Sequence, residues 1–416
     1  MDHTPYSTEV PPIRLIQNYC SADYATVRVT HTMVDKNNPD ANENLRYILA
    51  AAGIVDYEAL ENGRQNGQTA PVTFIQANRI TTFELRFYRV NNARGDRRFS
   101  IEDFRQKVRE HEIEVGDLLY FCCPCDEYGN PHLYIFNLTH NTPSEENLQA
   151  EFGTDEIAAA LEELRPRLEY IVRGGPFENR KGVGKTAPKD AGDTFEAAMD
   201  IETNNDPGAD YRDLIEFKTK SSRTLDTLFS LRPCFDGTPV AQAEAVDRYR
   251  VSAFARLYGY ESDKHPGMKS LYITIGSEVA PRNAQNFFLR VNYDAALVEI
   301  MRHEDEQDVV TAYWGFETLR DELHHKHPAT LWVKATEVRK GTDDTAALFS
   351  FDEFSFTRAP QFSTFLSLIE RGVVVYDWRG YTTPAGNYAG KNHGNAWRID
   401  HRYRDCLFET YEVLNL

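Results

Sequence analysis

DYRDLIEFK, residues 210–218, places an acidic residue at the entry of a predicted strand and a Glu-x-Lys pair on the strand itself. Because side chains alternate between the two faces of a strand, Glu216 and Lys218 point the same way. Asp210 lies just upstream, close enough to reach the same point. Two carboxylates and an ammonium group there suit a divalent metal ion and an activated water, as in phosphodiester hydrolysis. A strand with a solvated charged edge is the alternative interpretation.

The length of 416 residues predicts two or three domains. No run of about eighteen apolar residues is present, so we expect no transmembrane helix. The N-terminus lacks a basic region followed by an apolar stretch, so we expect no signal peptide there. These observations predict a cytoplasmic protein.

The net charge of −18 argues against a general affinity for nucleic acids unless the charge is segregated. Three basic stretches, 86–98, 165–189 and 391–404, interrupt the acidic background. Each alone is typical of a solvated face, but together they favour a nucleic-acid groove.

Two clusters raise the question of a bound metal. Cys122, Cys123 and Cys125 lie close together, but a structural zinc site needs four ligands in paired spacing, so buried thiols are the default. Cys122 and Cys123 also point to opposite faces if they belong to a strand. The run His-His-Lys-His at 324–327 is either a metal site or, more simply, an exposed turn before Pro328.

The pattern of apolar residues predicts a strand-rich N-terminal part. The predicted strands are 24–31, 71–76, 82–90, 117–123 and 132–138, and the predicted helices are 41–52 and 100–111, with Ser100 as a helix N-cap. Many short strands with few helices indicate a small barrel or sandwich. A polar linker is predicted around 140–149.

The remainder mixes helices and strands. Predicted strands are 214–219, 270–275, 286–292, 309–316, 330–338 and 373–377; predicted helices are 154–164, 193–200, 241–258 and 361–371; 174–192 is a predicted loop. That loop contains GVGKT at 182–186, but Asn179 stands where a nucleotide-binding phosphate loop needs glycine, and Pro188 hinders the following helix. A glycine loop that lets the backbone approach a DNA phosphate fits better.

The C-terminal part, about residues 170–416, resembles the MvaI/BcnI restriction endonucleases. The motifs that carry the resemblance are GVGKT at 182–186, DTFE at 193–196, ADY at 209–211, IEFKTK at 215–220, Asp377-x-Arg379 and KNHGNAWRI at 391–399. The resemblance implies a magnesium-dependent endonuclease of the PD-(D/E)xK type that acts on double-stranded DNA, at short sites of the CC-N-GG kind and often as a monomer. A cognate DNA methyltransferase is the implied functional partner.

The resemblance also implies residue roles. Asp210 and Glu216 would ligate Mg²⁺, and Lys218 would orient the attacking water or stabilise charge on the phosphate. Glu196 would assist at the metal or hold a second ion. The DNA contacts are expected from Lys185, Lys220, Ser221, Arg223, His393 and Arg398. This chain departs from the family pattern because Ala209 replaces the usual proline. One extra residue also separates Asp210 from Glu216, which leaves a bulge, or Asp213 as the ligand, as alternatives.

The N-terminal part resembles the DNA-binding pseudobarrel of the EcoRII-type restriction enzymes, through ELRFY at 84–88, RGDRRF at 94–99 and EVGDLLYF at 114–121. The implied DNA-gripping residues are Arg86, Arg89, Arg94, Arg97 and Arg98. A structural barrel, or one that binds protein, is the alternative.

We therefore expect a mixed fold. Residues 1–145 form an all-β, pseudobarrel-like DNA-binding domain, and residues 146–416 form an α/β nuclease domain of the PD-(D/E)xK kind. The predicted function is type II restriction, with an N-terminal accessory domain. A repair nuclease or a DNA-binding regulator on the same core is the alternative.

Overall fold

The computed structural model describes residues 3–126, 128–201, 208–221, 224–261, 263–279 and 283–416. The chain divides into two compact units, Met1–Ala158 and Ala159–Leu416. Among the helices of the described residues, none is long and apolar enough to cross a membrane.

The described residues of the first unit form six strands and five α-helices. In chain order they are α1 Val10–Tyr19, β1 Tyr24–Arg28, α2 His31–Lys36, α3 Glu43–Ala51, β2 Gln68–Ile75, β3 Ile80–Arg89, β4 Arg97–Ile101, α4 Phe104–Arg109, β5 Leu118–Cys122, β6 Leu133–Asn137 and α5 Glu145–Phe152. The strands form sheet I in the order β1-β5-β6-β2-β3-β4, in which β2 and β6 run parallel and the other pairs antiparallel.

Sheet I has a hydrophobic core on each face. Along β5, Leu119 and Phe121 belong to one cluster, and Tyr120 and Cys122 to the other, as the alternation of strand side chains requires. Helix α3 packs on the first cluster, and helices α1 and α5 on the second. Because helices cover both faces, the expected all-β description of this unit is too narrow.

Two local predictions in the first unit are wrong. The predicted linker at 140–149 contains the start of α5, whose N-cap Ser144 accepts a hydrogen bond from the Asn147 N–H. Ser100 is not a helix N-cap, because it lies in β4 and α4 begins only at Phe104.

The described residues of the second unit form helices and three sheets, which confirms the expected mixed fold. Its helices are α6 Glu156–Gly174, α7 Asp190–Ala198, α8 Pro239–Ala243, α9 Arg250–Tyr258, α10 Phe316–Lys326, α11 Phe362–Glu370 and α12 Arg404–Leu407. Its strands are β7 Phe177–Val183, β8 Glu216–Lys220, β9 Asp226–Phe229, β10 Tyr260–Glu261, β11 Lys269–Ile275, β12 Phe287–Asn292, β13 Leu297–Glu304, β14 Gln307–Gly315, β15 Ala329–Arg339, β16 Ala346–Pro360, β17 Val374–Thr382, β18 Gly390–Asn392, β19 Ala396–Ile399 and β20 Phe408–Leu414.

Three sheets organise these strands. Sheet II has the order β20-β16-β15-β8, with β7 also paired to β16; sheet III has the order β10-β11-β17-β19-β9, with β18 paired to β17; sheet IV is β12-β13-β14. Two predictions need correction. The expected loop 174–192 contains strand β7, and the expected helix 241–258 is two helices, α8 and α9, separated by a 3₁₀ turn at Asp247–Tyr249.

The strand β8 is fixed from two sides. It runs parallel to β15, with Glu216 opposite Thr330 and Lys218 opposite Trp332. Helix α7 packs against it through Phe195, whose ring centroid lies 5.6 Å from that of Phe217. Phe217 points to the opposite face from Glu216 and Lys218, so its burial fixes which way the two charged side chains point.

Candidate active site and nucleic-acid interface

A tight turn carries the chain from Asp210 back into β8. The Leu214 N–H donates to the Tyr211 carbonyl at 2.9 Å, and the Tyr211 N–H donates to the Ile215 carbonyl at 3.0 Å. Arg212 and Asp213 at the corner have φ of 55° and 59°. Positive φ at both central residues is the pattern of a type I′ turn. The extra residue between Asp210 and Glu216 is therefore absorbed in a hairpin.

Three charged groups meet at the start of β8. Asp210 Oδ2 accepts a hydrogen bond from the Phe217 N–H at 2.6 Å, which holds its carboxylate beside the strand. Glu216 is 7% exposed, and its Oε1 forms an ion pair with Lys218 Nζ. The structure thus brings together Asp210, Glu216 and Lys218, the residues that the sequence motif singles out.

Glu216 is costly to ionise in this environment. Burial raises its pKa, and the Asp210 carboxylate raises it further, whereas Lys218 and Lys326 act in the opposite direction without cancelling the effect. A bound cation would relieve the repulsion between the two carboxylates. Carboxylate oxygens are the donors that Mg²⁺ prefers, so the donor set at this place fits that ion.

The two other acidic residues considered as metal ligands are Glu196 and Asp213. In the part of the chain that the structure describes, no group of three or more His, Cys, Asp or Glu side chains is arranged to hold a metal ion. Glu196 is half-buried on α7, and its metal role stays a prediction. Asp213 is exposed at the turn, with its carboxylate against Gly208.

Lys220, at the end of β8, is held by a buried carboxylate. Its Nζ lies 2.8 Å from Oδ1 of Asp226, which is 3% exposed. Arg404 Nη2 approaches the other oxygen of Asp226 at 2.5 Å. Burial lowers the pKa of Lys220, and the neighbouring guanidinium groups of Arg404 and Arg398 lower it too. Ser221 is exposed at the strand end, and Arg223 lies outside the described residues.

Arg398 belongs to a second cluster around a buried carboxylate, Asp377, which is 1% exposed. Asp377 Oδ2 lies 2.6 Å from Arg398 Nε and 2.7 Å from Arg379 Nη2. The Thr274 hydroxyl donates to Asp377 Oδ1 at 2.6 Å. The sequence assigns no separate role to Asp377 and Arg379, although both belong to the Asp-x-Arg motif.

Strand register puts these residues on one side of sheet III. Thr274 pairs with Asp377 and Tyr272 with Arg379, so these four side chains share a face, and Leu271 and Trp378 point into the core. We call the face formed by Tyr272, Thr274, Asp377, Arg379, Tyr381 and Arg398 the polar face of sheet III.

Aromatic rings surround His393 beside this face. The His393 ring is exposed, and its centroid lies 6.0 Å from those of Tyr272 and Tyr381. The His265 ring stacks on Tyr381 with centroids 3.9 Å apart. Desolvation and the nearby charge of Lys391 lower the pKa of His393. His265, Tyr272 and Tyr381 could be found only from the structure, because they are far from His393 in sequence.

Lys185 is exposed in the loop that follows β7. That strand pairs antiparallel with β16, and α7 starts only at Asp190, so the parallel strand and immediate helix of a nucleotide-binding phosphate loop are missing from this segment. Asn179 is buried and donates to Asp190 Oδ2 at 2.8 Å, which gives it a structural role.

Acidic partners neutralise most of the predicted arginine grip in the first unit. Arg97 Nη2 lies 2.5 Å and Arg89 Nη1 3.9 Å from carboxylate oxygens of Glu58. Arg98 Nη1 lies 2.8 Å from Asp40 Oδ2. The remaining two residues are Arg86, which is half-buried, and Arg94, which is exposed on the β3–β4 loop.

Among the described residues, the side chains of the two possible metal clusters are not arranged as a group that could hold a metal ion. Cys122 is buried with its Sγ 3.8 Å from Cys20 Sγ, and Cys123 packs on the opposite face of sheet I. His327 is fully buried and ends α10. The expected exposed turn at 324–327 is wrong, because residues 324–326 belong to that helix.

Comparison with known proteins adds independent information. The model of the MvaI/BcnI restriction endonuclease family matches residues 167–408. The solved complex of the restriction endonuclease MvaI with its cognate DNA substrate aligns with a TM-score of 0.50 and 19% identity, over 61% of this chain and 97% of that chain. The structure of MvaI in the absence of DNA has 19% identity and a TM-score of 0.38, over 62% of this chain and 98% of that chain. No curated protein sequence matches the chain.

Proposed function

The chain belongs to the MvaI/BcnI restriction endonuclease family, and from this premise we propose that Asp210, Glu216 and Lys218 form a PD-(D/E)xK site that cuts duplex DNA. Type II restriction is the activity that membership of this family assigns to the chain. The observation that carries the residue assignment is the hydrogen bond from the Phe217 N–H to Asp210. It holds a second carboxylate beside Glu216 and Lys218, although five residues lie between the two acids in the sequence.

In the proposed mechanism, Asp210 and Glu216 would hold Mg²⁺, which would supply charge neutralisation at the scissile phosphate and make the attacking water more acidic. Lys218 orients the attacking water or stabilises the charge that develops on the phosphate oxygens. The water oxygen bonds to phosphorus as the bond to the 3′ oxygen breaks, and solvent protonates the leaving oxygen. The Phe217 N–H keeps Asp210 in place throughout.

The proposed DNA-recognition surface is the polar face of sheet III. Arginine is suited to guanine because its guanidinium group donates two parallel hydrogen bonds to O6 and N7. Asp377 orients both Arg379 and Arg398 from beneath, which is the pre-organisation that such contacts require. A short C/G-rich site of the CC-N-GG kind is consistent with two oriented guanidinium groups, and His393 is placed to contribute a further contact.

Phosphate contacts complete the proposed interface. Lys220 and Arg404 lie around Asp226, between the end of β8 and sheet III, and Lys185 is exposed after β7. Cations that meet the DNA backbone strengthen binding without carrying sequence information. They would hold the scissile strand near the Asp210 carboxylate.

The first unit is proposed as an accessory DNA-binding domain, with residues 1–145 as its extent. Fewer arginines support this proposal than the sequence indicates, because Arg89, Arg97 and Arg98 form ion pairs with acidic side chains. Arg86 and Arg94 are the residues best placed to contact DNA. Action as a monomer and a cognate DNA methyltransferase partner remain part of the proposal.

Cleavage of long mixed-sequence duplex DNA in Mg²⁺, followed by sequencing of the ends, tests this function. Wild type should give discrete fragments whose ends share a short C/G-rich motif, and Asp210→Asn should give none. Asp213→Asn is the matched control, because it makes the same change in the same segment at an exposed turn position. Ends without a common sequence would indicate a repair nuclease, and specific binding without cleavage would indicate a regulator.

A further inference from the structure

His327 joins two sheets of the second unit through its ring. The residue is fully buried at the end of α10, where its N–H donates to the Leu323 carbonyl at 3.1 Å. Its Nδ1 lies 2.7 Å from the Thr330 hydroxyl on β15 of sheet II, and its Nε2 lies 2.9 Å from the Leu228 carbonyl on β9 of sheet III.

The two contacts define the protonation state of the ring. A carbonyl oxygen only accepts hydrogen bonds, so Nε2 carries the proton that is donated to Leu228. Burial lowers the pKa of His327 to about 3, and the charge of nearby Lys218 also lowers it. The ring is therefore neutral, Nδ1 is an acceptor, and the Thr330 hydroxyl donates to it.

Both partners of the ring lead directly to residues of the proposed function. Thr330 lies opposite Glu216 in the parallel pairing of β15 with β8. Leu228 follows Thr227, which lies opposite Arg398 in the pairing of β9 with β19. The His327 imidazole thus connects β15, the neighbour of the strand that carries the proposed catalytic groups, with sheet III, which carries the proposed base-contacting groups.

We propose that His327 is a positioning residue that transmits correct seating of DNA on the polar face of sheet III to the geometry of Glu216. This inference rests on the proposed function. When the arginines contact a cognate base, β9 and β19 shift. The rigid imidazole ring, hydrogen-bonded at both nitrogens, transmits that shift to β15. A mismatched base leaves Glu216 displaced, and binding then persists while cleavage slows.

Histidine is needed at this position because of its two hydrogen bonds, since another residue could provide the packing alone. The ring also contacts Trp332 and Phe408, with centroids 6.1 and 5.6 Å away. A leucine could fill much of that volume, but it would leave the Leu228 carbonyl and the Thr330 hydroxyl without their partner. Glutamine offers an NH₂ group that can donate to the Leu228 carbonyl and a carbonyl oxygen that can accept from the Thr330 hydroxyl.

Steady-state cleavage of a cognate duplex and of the same duplex with one base pair changed tests the inference in the full-length protein. For His327→Leu we expect kcat on the cognate site to fall about 100-fold, because small misplacements of catalytic groups have effects of that order, with KM nearly unchanged. The ratio of cognate to mismatched kcat/KM should fall about tenfold or more. His327→Gln should restore most of both.

Two further variants separate positioning from packing. Thr330→Val keeps the side-chain shape and removes only the hydroxyl donor, so it should lower kcat and the ratio in the same direction even if His327→Leu does not fold. Thr311→Val is the matched control. It removes a buried hydrogen bond from the Thr311 hydroxyl to the Ile300 carbonyl in sheet IV, which contains neither β8 nor β9, and should lower the melting temperature while leaving the ratio unchanged.

The outcomes are distinct. An unchanged kcat and ratio in Thr330→Val and in any folded His327→Leu overturn the inference. An equal fall of kcat and of the ratio in Thr311→Val also overturns it, because that would show a purely structural role. A wild-type chain that does not cleave DNA in Mg²⁺ overturns the proposed function, and this inference with it. A wild-type enzyme that cleaves, with variants that do not differ from it, overturns this inference alone.

Discussion

Asp377→Asn should weaken specific DNA binding and strengthen non-specific DNA binding. Asp377 is 1% exposed and holds two arginines that the proposed function assigns to base recognition. Asparagine keeps the size and planarity of the side chain and removes its charge. The substitution therefore tests whether a buried carboxylate that does not contact the DNA sets the side-chain orientation of Arg379 and Arg398.

The stability cost can be worked from the exposure of the partners. The Arg398 side chain is 23% exposed and Arg379 is 45% exposed, so solvent screens much of the Arg379 contribution. Loss of the charge-assisted contacts to Arg398 and of part of those to Arg379 should cost about 2–3 kcal/mol. For a unit of this size, that corresponds to a fall in the melting temperature of about 4–12 °C.

The effect on DNA binding follows from geometry and charge. A well-oriented arginine–guanine pair contributes about 1–3 kcal/mol of discrimination, so loosening Arg379 and Arg398 should weaken specific binding about 10- to 100-fold or more. Removal of one negative charge next to the DNA should strengthen non-specific binding at low salt. The ratio of specific to non-specific affinity therefore falls more steeply than the specific affinity itself.

Equilibrium binding to a cognate and an unrelated duplex without Mg²⁺, at two salt concentrations, measures both effects. Asp400→Asn is the matched control, because it makes the same charge change at a carboxylate that pairs with Arg402. If Asp377→Asn weakens both duplexes equally, or keeps the wild-type ratio while its melting temperature falls, the assigned role of Asp377 is refuted.

Three further changes test other parts of the molecule. Lys326→Met should move the acid limb of the pH–rate profile to higher pH, because Lys326 lowers the pKa of Glu216, its removal raises that pKa, and cleavage needs the ionised carboxylate. Asp226→Asn should lower the free energy of unfolding by about 3 kcal/mol in a denaturant titration, because it leaves two poorly exposed cations without their buried partner. Arg94→Ala should weaken non-specific DNA binding and reduce its salt slope by about 1, whereas Arg97→Ala should change it little, because Arg97 is neutralised by an acid.

Surface variants of the same chemistry serve as controls for these changes. Lys340→Met removes an exposed lysine, and should leave the acid limb in place. Glu353→Gln breaks an exposed ion pair with Lys334, whose side chains are 67% and 60% exposed, and should cost less than about 1 kcal/mol. An equal salt slope for Arg94→Ala and wild type would remove the support for DNA binding by the β3–β4 loop.

The central constellation was predictable from sequence because its geometry is local. Nine residues contain all three groups, and the two-residue period of a strand aligns Glu216 with Lys218. The type I′ turn was harder to foresee, because Arg212 and Asp213 lack the Asn-Gly or Asp-Gly signature of such turns. Only the fold shows that the spacing is absorbed by a hairpin.

The networks that orient cations could not be predicted from sequence. Asp377 meets Arg398 across a strand pair, and Arg97 meets Glu58 from a distant segment. Neither contact has a periodic signal, because each depends on sheet order. Helix α5, in contrast, did carry a signal: Ser144 followed by two glutamates is a typical N-cap with an acidic first turn. The polar composition of residues 140–149 is also typical of a linker, and it masks this N-cap signal.

The acidity of the chain is compatible with DNA binding because of where its acids lie on the proposed interface. Asp226 and Asp377 are 3% and 1% exposed, whereas the side chains of Lys220, Arg379 and Arg398 are 25%, 45% and 23% exposed. DNA would therefore meet the cations and not the carboxylates that hold them. A buried carboxylate below each group of cations limits their side-chain entropy before binding, which reduces the cost of ordering them on DNA. Net charge describes the whole chain, but affinity depends on the charges that the DNA reaches.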